Sequence, residues 1–214
     1  IVVKPRQAYG TTLTQAMFFH DLFHCPNRNA LVIANSEDVA QNVLRMFRIF
    51  YNSLPDDMRA ARPLSRNAQN VFEFEDPHSS REVVITAKKG DVGGKSYTFQ
   101  ALHMTEAADF DQITDPELLW ASAMAAIPKG SPIVSKIIES TASGEDSFFA
   151  PRAKAAWTGK DPDWKCIFIP WHQVPEYASP IDAGVAFEPT YEEIALMEEY
   201  KLTPEQILWR RKVI

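Results

Sequence analysis

Ile1-Val-Val3 is an apolar triplet, followed by a turn, Lys4 to Gly10, then Thr11-Thr12 and an amphipathic run from Leu13 to Phe23. The triplet reads as the end of a buried strand and the run as a helix. Ala30-Leu-Val-Ile-Ala34 is a second short apolar strand. Ser36 then caps a second amphipathic helix, Asp38 to Ser53, which Leu54-Pro55 stops. The order β-α-β-α favours a parallel sheet.

The first turn carries chemistry as well as direction. A strand, a glycine-bearing turn, a hydroxyl and a helix together make a phosphate-binding loop, in which backbone N–H groups and the helix N-terminus face an anion. The standard pattern places Gly-Lys directly before the Ser or Thr. Here Gly10 precedes Thr11, and the nearest cations, Lys4 and Arg6, lie upstream. On these residues alone a plain strand-to-helix turn fits equally well. Gly94-Lys95-Ser96 matches the local triplet better, but the first glycine of that pattern would fall at Lys89, and Tyr97 to Leu102 is strand-like. That stretch reads as a glycine loop carrying a cation.

Further along, residues 56–70 are polar. Val71 to Glu75 and Glu82 to Thr86 read as a hairpin inserted between helix and core strand. Phe99 to Ala108 is a mostly apolar strand with Glu106 near its end. A helix is expected from Glu117 to Ala126, a strand over Pro132 to Ile138, and a loop of small hydroxyl residues, Ser140-Thr-Ala-Ser143. Ser147 to Thr158 reads as helix, Trp164 to Pro170 as a strand, and Thr190 to Lys201 as an acidic helix. Pro204 opens a last helix. The fold class expected is α/β: a RecA-like P-loop core with a mostly parallel sheet flanked by helices.

At 214 residues the chain suits one domain, or one domain with an appendage. A division into residues 1–177 and 178–214 is expected. The hydrophobic fraction of 45% supplies a sizeable core. Cys25 and Cys166 have no metal spacing and read as free thiols. No apolar run approaches the roughly 18 residues of a membrane-spanning helix. The net charge of −6 excludes a surface that is basic all over, though not a local basic stripe. His103, on an apolar strand, reads as a satisfied core histidine.

Three polar features thus lie at strand ends of one expected sheet: the loop 4–12, Glu106 and the hydroxyl cluster. A phosphate cradle, a carboxylate that polarises water and a sensor of the terminal phosphate are the parts of a nucleotide hydrolase.

Lys4-Pro-Arg-Gln-Ala-Tyr-Gly-Thr-Thr12, Leu102-His-Met-Thr-Glu-Ala-Ala108 and Ile137-Ile-Glu-Ser-Thr-Ala-Ser-Gly144 resemble the ATPase motifs of the large terminase subunit of tailed bacteriophages. The similarity extends over Phe168 to His172 and Tyr200 to Arg211, and so covers nearly the whole chain. It implies an ATP- and Mg²⁺-dependent motor that moves double-stranded DNA into a procapsid. In that reading Lys4, Arg6, Gln7, Gly10, Thr11 and Thr12 form the phosphate-binding Walker A loop. Thr11 ligates Mg²⁺, with Thr105 and Glu106 acting through water. Glu106 is the catalytic carboxylate of the Walker B strand, and Ser140-Thr141-Ala142 couple hydrolysis to motion. Lys95 occupies roughly the place of a trans-acting cation. Two departures stand out: the glycine is shifted by one place, and Thr105 stands before Glu106 where the family usually has Asp, although Ser is also familiar there.

The resemblance further implies a homo-oligomeric ring when assembled, a monomer in isolation, and a portal protein and a small terminase subunit as partners. The site of action would be the host bacterial cytoplasm, with transient docking on the procapsid and no membrane. An adenine-contacting segment upstream and a nuclease domain downstream would lie outside these residues, so no nuclease activity is expected here. A helicase-like nucleic-acid ATPase and a non-hydrolysing nucleotide-binding or scaffold module are the rival readings.

Overall fold

The computed structural model describes residues 1–87, 98–145, 147–182, 184 and 186–213. It forms two compact units, Ile1–Phe168 and Ile169–Ile214, where the sequence suggests a boundary after residue 177.

The first unit is built on an eight-stranded sheet. Its strands are β1 (Val2–Val3), β2 (Asn29–Ala34), β3 (Leu64–Ala68), β4 (Val71–Phe74), β5 (Arg81–Thr86), β6 (Ala101–Thr105), β7 (Ser135–Ser140) and β8 (Ile167–Phe168). They lie in the order β3-β4-β5-β2-β6-β7-β1-β8. From β5 to β8 all neighbours pair in parallel, so their C-terminal ends share one edge. β7 lies between β1 and β6, which brings the ends of those three strands side by side.

The helices of this unit are α1 (Gly10–His24), α2 (Glu37–Asn52), α3 (Asp56–Ala61), α4 (Pro116–Ala125) and α5 (Phe149–Trp157). The core is split by the sheet. Ala30, Val32 and Ala34 pack with Phe18, Phe19, Leu22, Val43, Leu44 and Phe47 of α1 and α2. Leu31 and Ile33, alternating with them, pack with Leu102, Met104, Leu119, Phe148 and Phe149 on the opposite face. A strand buried on both faces has no polar side, which is why 30–34 is uniformly apolar. Ser36 accepts from Val39 N–H at 3.3 Å and caps α2.

The expected hairpin is present: β4 and β5 pair antiparallel across Val71↔Val83 and Glu73↔Arg81. It is extended on one side by β3, antiparallel to β4 across Leu64↔Phe74 and Ala68↔Val71. On the other side β5 also joins the parallel sheet, paired with β2 along its whole length. The polar stretch 56–70 holds α3 and β3. β3 faces solvent over most of its length, so apolar alternation is missing there. Cys25 and Cys166 are free but half-buried.

The second unit holds α6 (Tyr191–Tyr200) and α7 (Pro204–Val213). Thr190 and Glu193 make a capping box at the start of α6. Arg211 of α7 pairs with Glu193 at 2.6 Å. Trp209 stacks on Trp171 and on Tyr177, at 5.4 and 4.2 Å between centroids. No helix among the described residues is long and apolar enough to cross a membrane.

Candidate active site

Lys4 leaves the end of β1, its N–H still laddered to Ser140 O of β7 at 3.1 Å. Its side chain does not reach out to water. It is 6% exposed, and its ammonium lies 3.2 Å from Glu106 Oε1 and 3.0 Å from Glu139 Oε2. Burial alone would lower its pKa; the charges and hydrogen bonds of Glu139 and Glu106 outweigh that and leave it raised.

The stem of Lys4 crosses the start of α1. A Cβ on Gly10 would come 2.8 Å from Lys4 Cδ and 3.2 Å from Cε. A lysine arriving from the strand end along this path needs residue 10 to be bare. The turn itself uses left-handed residues that are not glycine, Gln7 at φ 58° and Tyr9 at φ 54°.

The N-terminus of α1 has no side-chain cap and no acidic residue in its first turn, unlike α2, whose first turn carries Glu37 and Asp38. The first amides of a helix have no intrahelical partner. Here they form a donor set suited to an anion.

Beneath α1 lies a buried polar network. Glu139, on β7, is fully buried. Its Oε1 accepts from Thr11 Oγ1 at 2.7 Å and from Thr105 Oγ1 at 2.6 Å, with His103 Nε2 at 3.3 Å. Gln15 Nε2 donates to His103 Nδ1 at 2.8 Å, a pattern that puts the imidazole proton on Nε2. Glu139 Oε2 has the Lys4 ion pair but accepts no aligned hydrogen bond. Burial would push the Glu139 carboxyl up; the hydrogen bond from His103, the Lys4 ammonium and the Thr105 hydroxyl together hold it well below the usual carboxylate range. The sheet explains the meeting: Thr105 and Glu139 are directly paired in the β6–β7 register, and His103 pairs with Ile137. Alternation then puts His103, Thr105 and Glu139 on the α1 face.

Glu106 follows β6 in the left-handed region, at φ 52° and ψ 46°. A non-glycine residue there costs on the order of 1–2 kcal/mol. Its side chain is 29% exposed, so it reaches both Lys4 and solvent. Ser140 Oγ accepts from Ala108 N–H at 3.0 Å, tying β7 to the turn after Glu106.

The structure therefore brings Lys4, Gly10, Thr11, Thr105, Glu106 and Ser140 to one sheet edge. Thr12 is on the same helix turn, but its hydroxyl lies 3.8 Å from Met46 Sδ of α2. Arg6 and Gln7 are exposed on the loop; Thr141 is half-buried and Ala142 exposed. Lys95 lies outside the described residues. Sequence reasoning missed Glu139 and Gln15 and took His103 only as a core residue. The available signal was a carboxylate at the end of an apolar strand, since a buried charge needs partners.

Among the described residues no group of three or more His, Cys, Asp or Glu could hold a metal ion unaided. The donors that do converge, the Thr11 and Thr105 hydroxyls and two carboxylates, are hard oxygens. Such a set fits Mg²⁺, which takes its remaining ligands from water and phosphate.

Neither a protein-family model nor any curated protein matches the chain. Solved structures do. The Thermus phage P74-26 large terminase ATPase domain aligns over 100% of this chain and 82% of its own, with TM-score 0.57 and 16% identity. The fold is that of large terminase ATPase domains. The HK97 bacteriophage large terminase aligns over 94% of this chain and 43% of its own, with TM-score 0.57 and 15% identity. The large terminase of a thermophilic bacteriophage, solved in complex with ADP, aligns over 78% and 39%, with TM-score 0.55 and 9% identity. The terminase fold is thus retained here at low sequence identity.

Proposed function

We propose that this chain is an ATPase whose hydrolysis drives double-stranded DNA into a procapsid, as the motor part of a large terminase subunit. The observation that carries this reading is Lys4, held at the uncapped start of α1 between two carboxylates at the C-terminal sheet edge. Ligands of open α/β sheets bind at that edge, and the fold matches that of terminase ATPase domains.

In this reading Lys4 and the first amides of α1 hold the phosphates, with Arg6 and Gln7 closing the loop around them. The Thr11 hydroxyl is the protein's ligand to Mg²⁺, with Thr105 and Glu106 acting through water. When bound, Mg²⁺ would neutralise phosphate charge. Glu106 accepts a hydrogen bond from a water and aligns it for in-line attack on the γ-phosphate. Ser140 to Ala142 couple the product state to motion. Ser140 suits this because it touches both the Lys4 backbone and the turn after Glu106. Lys95 is proposed as a cation acting on a neighbouring subunit's ATP, in a ring docked on the portal in the host cytoplasm, with the small subunit as a further partner. Residues 178–214 would connect this motor to a nuclease part.

ATP turnover by the longer polypeptide, with portal and DNA supplied, tests the reading. Glu106→Ala and Lys4→Ala should each lower the rate by about 10²-fold or more. Equal turnover in all three proteins would overturn these assignments. Nucleotide binding without turnover in the wild type would favour a non-hydrolysing module.

A further inference from the structure

Thr105 stands where the resemblance usually has Asp and sometimes Ser, and a hydroxyl brings no charge to a divalent cation. The missing charge is present on the neighbouring strand. We propose that Glu139 is the acidic anchor of the divalent cation in this site, taking the place of the carboxylate that position 105 lacks. The proposal rests on the phosphate-loop reading above.

Charge balance and placement carry it. Glu139 is fully buried, and its charge is compensated by the Lys4 ammonium, 3.0 Å from Oε2. Lys4 is also the cation that the site reading brings from the end of β1 to the phosphates. Once its ammonium turns to a phosphate, Glu139 is left as a buried carboxylate without its counter-ion, an unfavourable state. A divalent cation beside Glu139 removes that cost. The groups around it are set for this. The Thr11 and Thr105 hydroxyls already converge on Oε1, and Oε2 accepts no aligned hydrogen bond. Gln15 and His103 hold the far side: Gln15 donates to Nδ1, so Nε2 keeps its proton turned to Glu139. This orients the carboxylate as outer-shell groups orient metal ligands. Glu106, one residue beyond Thr105, is then left for water, so the two acids divide the work.

Titration calorimetry with ADP, in Mg²⁺ and in EDTA, separates the alternatives without needing turnover. In the wild type Mg²⁺ should strengthen ADP binding. In E139Q that gain should fall by at least about tenfold, while affinity in EDTA is unchanged or higher, because a negative charge near the phosphates has gone. E139Q/T105D, which returns a carboxylate to the registered partner position, should recover part of the gain. An undiminished gain in folded E139Q overturns the proposal. If circular dichroism shows E139Q unfolded, E139D is read instead: a loss of about fivefold or more is expected, and an unchanged gain overturns the proposal. A wild type that binds ADP equally with and without Mg²⁺ overturns this proposal alone. A wild type that binds ADP in neither condition overturns the phosphate-loop reading beneath it.

Discussion

Lys4 and Gly10 are a matched pair, six positions apart in sequence and in contact in space. The residues of the candidate site were legible one by one: a cation, a bare position and a hydroxyl lie in the first twelve residues. Their geometry was not. Only the structure shows that residue 10 must be bare for the Lys4 stem to pass. The contact makes a sharp expectation. Alanine is the better helix former by up to about 1 kcal/mol, yet Gly10→Ala should destabilise the protein by about 1–3 kcal/mol, because its Cβ meets a lysine stem pinned between two acids. Denaturant unfolding measures this. In a Lys4→Ala background the same change should become neutral or stabilising, and a cost that stays the same in both backgrounds would contradict the steric explanation. Glu139 was missed for a different reason. A carboxylate closing an apolar strand signals only that it needs partners; these come from Thr11 of α1, from Lys4 after β1 and from His103 and Thr105 of β6.

At the scale of elements, apolar runs read well and solvent-facing ones poorly. β2 and β6 were recognisable because they are buried on both faces. β3 was not, since Ser65, Arg66 and Asn67 are exposed. β5 was recognised with its hairpin partner β4, but its second, parallel pairing with β2 has no local signal. Glu82 of β5 is fully buried against the α1–α2 side of the sheet, and neither carboxyl oxygen has a hydrogen-bond partner among the described residues. Burial pushes its pKa well above the ordinary value. The folded chain therefore keeps a proton that the unfolded chain releases. Its contribution to stability is complete below the unfolded pKa near 4.3 and is lost as pH rises from there through the folded value. Glu82→Gln should accordingly raise unfolding free energy by about 1–3 kcal/mol at pH 8, with the advantage fading towards pH 4. Denaturant titrations of both proteins across this range check the sign; a gap that widens as pH falls would contradict it.

For the molecule as a whole, the β-α-β-α order implied a parallel sheet, but no local pattern could place β7 between β1 and β6. That order depends on pairings between residues more than a hundred positions apart. It makes a site from the ends of three strands. Residues 1–168 enclose both apolar clusters on their own. A chain truncated after Phe168 should therefore unfold cooperatively, with intact near-ultraviolet circular dichroism. Loss of that transition would show that the second unit is needed for the first to fold. In the proposed function Lys4 releases its acids to hold phosphate at the start of α1. A crystal structure of the protein with ADP and Mg²⁺ tests it most directly. The β-phosphate should lie within hydrogen-bonding distance of Lys4 Nζ and of the first amides of α1, with the ammonium moved away from Glu139. Nucleotide bound elsewhere, or Lys4 still locked between Glu106 and Glu139 with ADP in place, would contradict it.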